Sequence, residues 1–298
     1  MENESRFDTQ HDGMIYDAKF DYYGKRLATC SADGTIKVFL HSDNQKAQLA
    51  SMLNHQGAAL SISWSHPIFG SLLASSGFEG KILIWQEASP NTWTVIYECT
   101  QHEAPVNCIS WSPWELGLIL LAACFDGHIS LIHKREDWVA VKFFAHEVGV
   151  CSVSWGPVMS MTQATKRFVS GGADHKVKVW TEVENRFVPE ELEMHSAAVR
   201  SVDWRPIINA NREILVSCSE EGNVLIWLKA AGCGFWRGFE AVRVKVPIWK
   251  VSWNITGNVI AASCGDNVTR LIKETAEGTW EVFMQINEAG KVLENIKN

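Results

Sequence analysis

Apolar residues fall along this chain in short runs, each closed by Gly, Asp, Asn or Ser. ILIW (82–85), VKVW (177–180) and VLIW (224–227) are of strand length and rich in β-branched and aromatic residues, the signature of β-strands rather than helices. The runs recur. RLATCSADGTIKVF, LLASSGFEGKILIW, LLAACFDGHISLI, RFVSGGADHKVKVW, ILVSCSEEGNVLIW and VIAASCGDNVTRLI each place an acid six positions before a large apolar residue. The acids are Asp33, Glu79, Asp126, Asp174, Glu221 and Asp266; their apolar partners are Phe39, Trp85, Ile132, Trp180, Trp227 and Ile272. Successive acids are 46, 47, 48, 47 and 45 residues apart.

A second register repeats with the same period. His11, His55, His102, His146 and His195 each precede an aromatic residue by nine positions, namely Phe20, Trp64, Trp111, Trp155 and Trp204. The sixth repeat keeps Trp253 but has Val244 in place of the histidine. A period near 45 residues with four strands per repeat predicts an all-β fold, a six-bladed β-propeller with four antiparallel strands per blade. Each blade would have an inner strand ending at the aromatic residue, a hairpin of two strands and an outer strand. The outer strands are expected at 47–53, 94–99, 139–144, 187–193, 239–245 and 280–286. Residues 1–10 read as a polar N-terminal extension and 11–298 as a single propeller. Acid-Gly steps close four of the hairpins, where glycine tolerates positive φ; His175 and Asn267 hold that place in the fourth and sixth repeats.

Of the 298 residues, 46% are hydrophobic and 20% charged, with a net charge of −7. This describes a globular chain with no overall attraction to nucleic acid or an anionic membrane. No apolar run reaches the length of a membrane-spanning helix and the start lacks a signal-peptide core, so a cytosolic or nuclear protein with no membrane insertion is expected. The eight cysteines include no C-x-x-C pair, and Cys30, Cys124, Cys218 and Cys264 read as buried free thiols.

The repeated histidines, acids and tryptophans read as structural. Five equivalent histidines cannot each be an active site, and a buried histidine that donates to the turn carboxylate pins loop to hairpin. HEAPV at His102 and HEVGV at His146 lack the second ligand of a zincin helix. The sequence nominates no catalytic, metal or cofactor site, so a binding scaffold rather than an enzyme is expected. The fourth and fifth repeats carry longer loops at 156–166 and 205–212, open to reading as partner contacts or as tolerated variation. Trp114, Trp138 and Trp236 fall outside the registers and are expected to pack on neighbouring blades. Trp280–Ile286 already completes the last blade, so no N-terminal strand is needed to latch it. Either the ring is open between blades one and six, where a partner could add strand, or it closes by side-chain packing alone.

The blocks Asp21–Phe39, Ser65–Glu87, Ala104–Leu121, Lys166–Trp180 and Gly257–Glu274 resemble the Sec-thirteen family of WD-repeat proteins, over nearly the whole chain and in the family's order, although the Trp-Asp dipeptide itself is missing. The resemblance implies an open propeller that binds a strand-bearing segment of an α-solenoid partner. That partner is a Sec-thirty-one-like subunit of the outer COPII coat in ER-to-Golgi transport, or a solenoid nucleoporin of the Y-shaped complex at the nuclear pore. The implied locations are the cytoplasmic face of ER exit sites and COPII vesicles, and the nuclear pore complex. The seam residues expected from blade order are Ile15, Tyr16 and Phe20 in the first blade and Ile248, Trp249 and Val251 in the last. Trp249–Gly257 also resembles the sister Seh-one pore propeller, while Gly265–Lys273 favours the coat protein. A WD-repeat adaptor that reads peptides on its top face is the other alternative.

Overall fold

The structure, a computed structural model, describes residues 7–42, 45–158, 165–206 and 212–295. The fold is the expected six-bladed β-propeller, and the chain divides into two compact units, Met1–Ala145 and His146–Asn298, each holding three blades.

In the first unit, blade one comprises β1 (Ile15–Phe20), β2 (Arg26–Ser31), β3 (Thr35–Ser42) and β4 (Gln45–Asn54). Blade two comprises β5 (Ala59–Trp64), β6 (Leu72–Gly77), β7 (Ile82–Ser89) and β8 (Thr92–Cys99). Blade three comprises β9 (Val106–Trp111), β10 (Ile119–Cys124), β11 (His128–Lys134) and β12 (Trp138–Phe144). In the second unit, blade four comprises β13 (Val150–Trp155), β14 (Arg167–Gly172), β15 (Val177–Val183) and β16 (Arg186–Leu192). Blade five comprises β17 (Val199–Trp204), β18 (Arg212–Ser219), β19 (Asn223–Ala230) and β20 (Arg237–Arg243). Blade six comprises β21 (Ile248–Trp253), β22 (Val259–Cys264), β23 (Val268–Glu274), β24 (Trp280–Asn287) and β25 (Val292–Asn295). Every sheet is antiparallel with its strands in chain order.

The fifth strand of blade six corrects the expectation of four strands throughout. β25 pairs with Met284–Ile286 on the outer edge of β24, after a turn in which Gly290 adopts φ +72°. Its signal was weak, because a four-residue strand has too few positions to show alternation. The expected long loops at 156–166 and 205–212 lie mostly outside the described residues.

The hairpin glycines Gly34, Gly80, Gly127 and Gly222 have φ between +79° and +86°, and His175 and Asn267 adopt the same left-handed conformation. Each inner strand is bulged near its start, so that Tyr16, Leu60, Asn107, Cys151, Arg200 and Trp249 stand out of the ladder. β6 and β10 are buried along their whole length. Between blades one and two, Ala28, Cys30, Ile36 and Val38 meet Ile62, Leu73 and Trp85. Between blades five and six, Ile214, Val216, Cys218 and Ile226 meet Ile248, Val251, Trp253 and Ile260. None of the eight cysteines is in a disulfide. No helix among the described residues is long and apolar enough to cross a membrane.

Candidate binding face on the first blade

The histidine register forms a relay of hydrogen bonds. In blade four the Trp180 indole donates to Ser170 Oγ (2.8 Å), Ser170 Oγ meets His146 Nε2 (2.7 Å) and His146 Nδ1 meets Asp174 (2.8 Å). Blade five repeats it with Trp227, Ser217, His195 and Glu221, and Asn223 also meets the ring. His11 spans Thr29 and Asp33 in blade one, and His102 spans Ser130 and Asp126 in blade three. Sequence reasoning missed the hydroxyl member, although Thr29, Ser75, Ser170 and Ser217 all stand four residues before the acid. The order Ser-His-acid resembles a catalytic triad, but Ser170 and Ser217 are fully buried and no substrate can reach them.

These environments set the charges. Burial lowers His102 and His195 despite their acidic partners. Burial alone would raise Asp126, but Lys142 and His102 hold it far below the usual carboxylate range. Glu221 is brought down to about 2, against burial, by the hydroxyl and amide of Ser196 with help from His195 and Ser219. His102, Cys124 and Asp126 bring three metal-type donors within 4.8 Å of one another. Cys124, however, donates to the Ala104 carbonyl and burial pushes its thiol up to about 12, while Lys142 occupies Asp126, so the set suits hydrogen bonding rather than a cation.

Two acids depart from the expected pairing. His55 is fully buried with neither ring nitrogen partnered, and the Glu79 carboxylate lies over Gly57 instead. Asp266, which has no histidine, takes a bidentate pair from Arg270.

Within each unit the inner strands are stitched from blade to blade. Asp17 Oδ2 accepts the Ile62 amide, and the Ser61 and Ser63 hydroxyls accept those of Ile109 and Trp111. Ser152, Ser154 and Asp203 accept the amides of Val202, Trp204 and Trp253 in the second unit. In blades three and five the amides at the inner-strand aromatic and two positions before it are both received by the preceding blade, while blade two shows the second of these and blade six the first.

β1 breaks this pattern. Ala59, Val106, Val150, Val199 and Ile248, five positions before the aromatic, are all fully buried, whereas their counterpart Ile15 is 41% exposed. Ile62, Ile109, Val153, Val202 and Val251 are buried, but the counterpart Ala18 is exposed. Trp111, Trp155, Trp204 and Trp253 are buried, but Phe20 is 53% exposed. The Ala18 amide turns back to Asp17 of its own strand. Blade one therefore exposes Ile15, Ala18 and Phe20 at positions that are buried in other blades.

Of the six residues expected at a seam, Ile15, Tyr16, Phe20 and Trp249 are exposed, the last beneath the Arg200 guanidinium at 5.5 Å. Ile248 and Val251 are corrected: both are buried against blade five and offer no surface. The aliphatic positions of an inner strand face the preceding blade, so in the last blade they are covered. The under-covered side of blade six is built by Val259, Ala261, Ser263 and Leu271, where blade five buries Ile214, Val216, Cys218 and Ile226. Of the off-register tryptophans, Trp138 stacks on Tyr97 of blade two, and Trp236 is buried against Trp204 of its own blade. Trp114 is half exposed beside His66.

The model of the WD domain, G-beta repeat, matches residues 3–39, 93–133, 138–181 and 188–227. The chain is 37% identical to the Protein SEC13 homolog of Drosophila melanogaster, covering 97% of this chain and 85% of that relative. It is 40% identical to Protein transport protein SEC13 of Coccidioides immitis, over 93% of this chain and 97% of the relative. This chain belongs to the SEC13 family of WD-repeat proteins. Protein transport protein SEC13 of Mycosarcoma maydis, 35% identical with 96% of both chains covered, is a further relative. In this SEC13-family chain the repeat registers supply the scaffold, and the face of β1 is where that scaffold is incomplete.

Proposed function

We propose that this chain is a non-catalytic scaffold in protein transport, and that it works by holding a strand-bearing segment of an α-solenoid partner against β1. The uncovered positions Ile15, Ala18 and Phe20, buried at five, five and four of their counterparts, carry the reading. A guest strand would cover the apolar face. It would also carry a Ser, Thr or Asp side chain to receive the Phe20 amide, as Ser63 does for Trp111 of blade three. The relatives' name, Protein transport protein SEC13, supports a vesicle-coat setting. The partner is a Sec-thirty-one-like subunit of the outer COPII coat at ER exit sites; a solenoid nucleoporin at the nuclear pore would use the same face.

Both side chains to be changed are exposed, so folding is preserved. The double variant Ile15→Asp, Phe20→Asp is expected to melt within a few degrees of the parent. It should bind the coat solenoid's strand segment at least ~100-fold more weakly, about tenfold for each anchor lost. Unchanged affinity in calorimetric titration would overturn the assignment.

A further inference from the structure

We infer that the loops at one end of the first unit form a second, independent docking site, built to hold a proline-rich segment of a partner protein in polyproline II conformation. This goes beyond the β1 face, and none of its binding residues lies in that strand.

Three connections build it. The β1–β2 turn is locked by Asp21, whose carboxylate accepts the amides of Lys25 and Arg26 (2.8 and 3.0 Å), with Gly24 in the left-handed region. That turn holds Tyr22 and Tyr23 out in solvent, Tyr22 being 66% exposed. The β5–β6 connection contains a 3₁₀ turn at Pro67–Phe69, capped by His66 Nδ1 accepting the Ile68 amide (3.3 Å). The β9–β10 connection contains a matching turn at Trp114–Leu116, which presents Trp114 at 41% exposure.

The rings meet in a row: Tyr23 to Tyr22 at 5.3 Å, Tyr22 to His66 at 4.7 Å and His66 to Trp114 at 5.9 Å. Beside them lies a pocket of about 250 Å³ floored by Trp64, Pro67, Gly70 and Leu72. Neighbouring exposed aromatic rings of this kind suit a contact surface.

The chemistry selects the occupant. Every ring of the row ends in a polar tip without a protein partner among the described residues: the Tyr22 and Tyr23 hydroxyls, the Trp114 indole N–H and His66 Nε2. With His66 Nδ1 accepting, Nε2 is the ring nitrogen left to donate, so all four tips can donate. The pocket's two charged lining residues, Asp21 and Arg26, pair with each other (3.2 Å), and Arg26 also holds Glu87 (2.8 Å), so no cation there is left unpaired for an anionic ligand. A ligand matching uncharged donors set among aromatic faces is apolar, carries no net charge and presents free carbonyl oxygens. Polyproline II fits, since its backbone makes no internal hydrogen bonds and it repeats every three residues, roughly 9 Å. An amphipathic helix would hide its carbonyls, and a net charge of −7 disfavours an anionic lipid surface.

The test titrates a capped, uncharged decapeptide of Pro-Pro-Ala repeats into the full chain, read by fluorescence anisotropy. Saturable binding below about 1 mM is expected, weakened at least ~tenfold by Tyr22→Ala and again by Trp114→Ala. A peptide with the prolines replaced by alanine should not bind. Ile15→Asp should leave this affinity unchanged while weakening the solenoid segment, which separates the two sites. Circular dichroism confirms that each variant folds. No saturable binding, equal affinity in the Tyr22 and Trp114 variants, or tighter binding of an amphipathic helical peptide would each overturn the site.

Discussion

His146 and His55 occupy the same position in their repeats and differ in what they touch. His146 links Ser170 to Asp174, while both nitrogens of buried His55 are idle. Removing a partnered buried group leaves its neighbours unsatisfied, whereas removing an unpartnered one relieves a desolvation cost. His146→Leu should therefore cost about 2–3 kcal/mol and His55→Leu less than about 1 kcal/mol, compared by urea denaturation. Acid acts through the same residues. Burial keeps His55, His102 and His195 below the ordinary histidine value of 6.5, so below that pH the unfolded chain binds protons that the folded chain refuses. Depressed carboxylates add a second loss. The contribution of Glu221 is complete above its ordinary value of 4.5 and disappears as pH falls toward about 2. Melting temperature should decline from near pH 6.5 and steepen below 4.5. A flat profile between pH 7 and 5 would contradict the buried-neutral histidines. The registers made the histidines and acids legible, because spacing repeats; whether a given pair engages depends on side-chain direction, and His55 and Glu79 show that spacing does not carry it.

Strands were the most legible level. Their alternation and turn chemistry placed all six outer strands within about two residues, because a hairpin needs Gly, Asn or His at one fixed place. Which face of a strand is covered was not legible, and that is why Ile248 and Val251 were expected on a surface they do not reach. Covered faces carry the stability. Trp204, buried between blades four and five with Arg167 over its ring at 5.0 Å, should cost roughly 3–5 kcal/mol when changed to Ala. The added strand β25 lies at the opposite extreme, with Val292 and Leu293 half exposed. Removing residues 291–298 should lower stability by less than about 1 kcal/mol, measured as a shift in denaturant midpoint.

At the scale of the molecule, a repeat that can bury both faces of an interior blade leaves terminal blades with a face each to account for. Blade one meets this with an open apolar surface, a liability for a protein handled alone. The chain produced by itself should self-associate on dynamic light scattering, and co-expression with the partner's strand segment should return it to one copy per particle. An equally monodisperse chain without the segment would argue against an uncovered face.

The stitching between inner strands also has a polarity: hydroxyl or carboxylate behind, amide ahead, in the same sense within each unit. A ladder that runs one way has unlike ends. Copies without a guest are thus complementary head to tail rather than head to head, a heterologous union that yields either a ring or an open row. Under the proposed reading, a guest strand seated on β1 would cap the head and so bound the size of any such assembly.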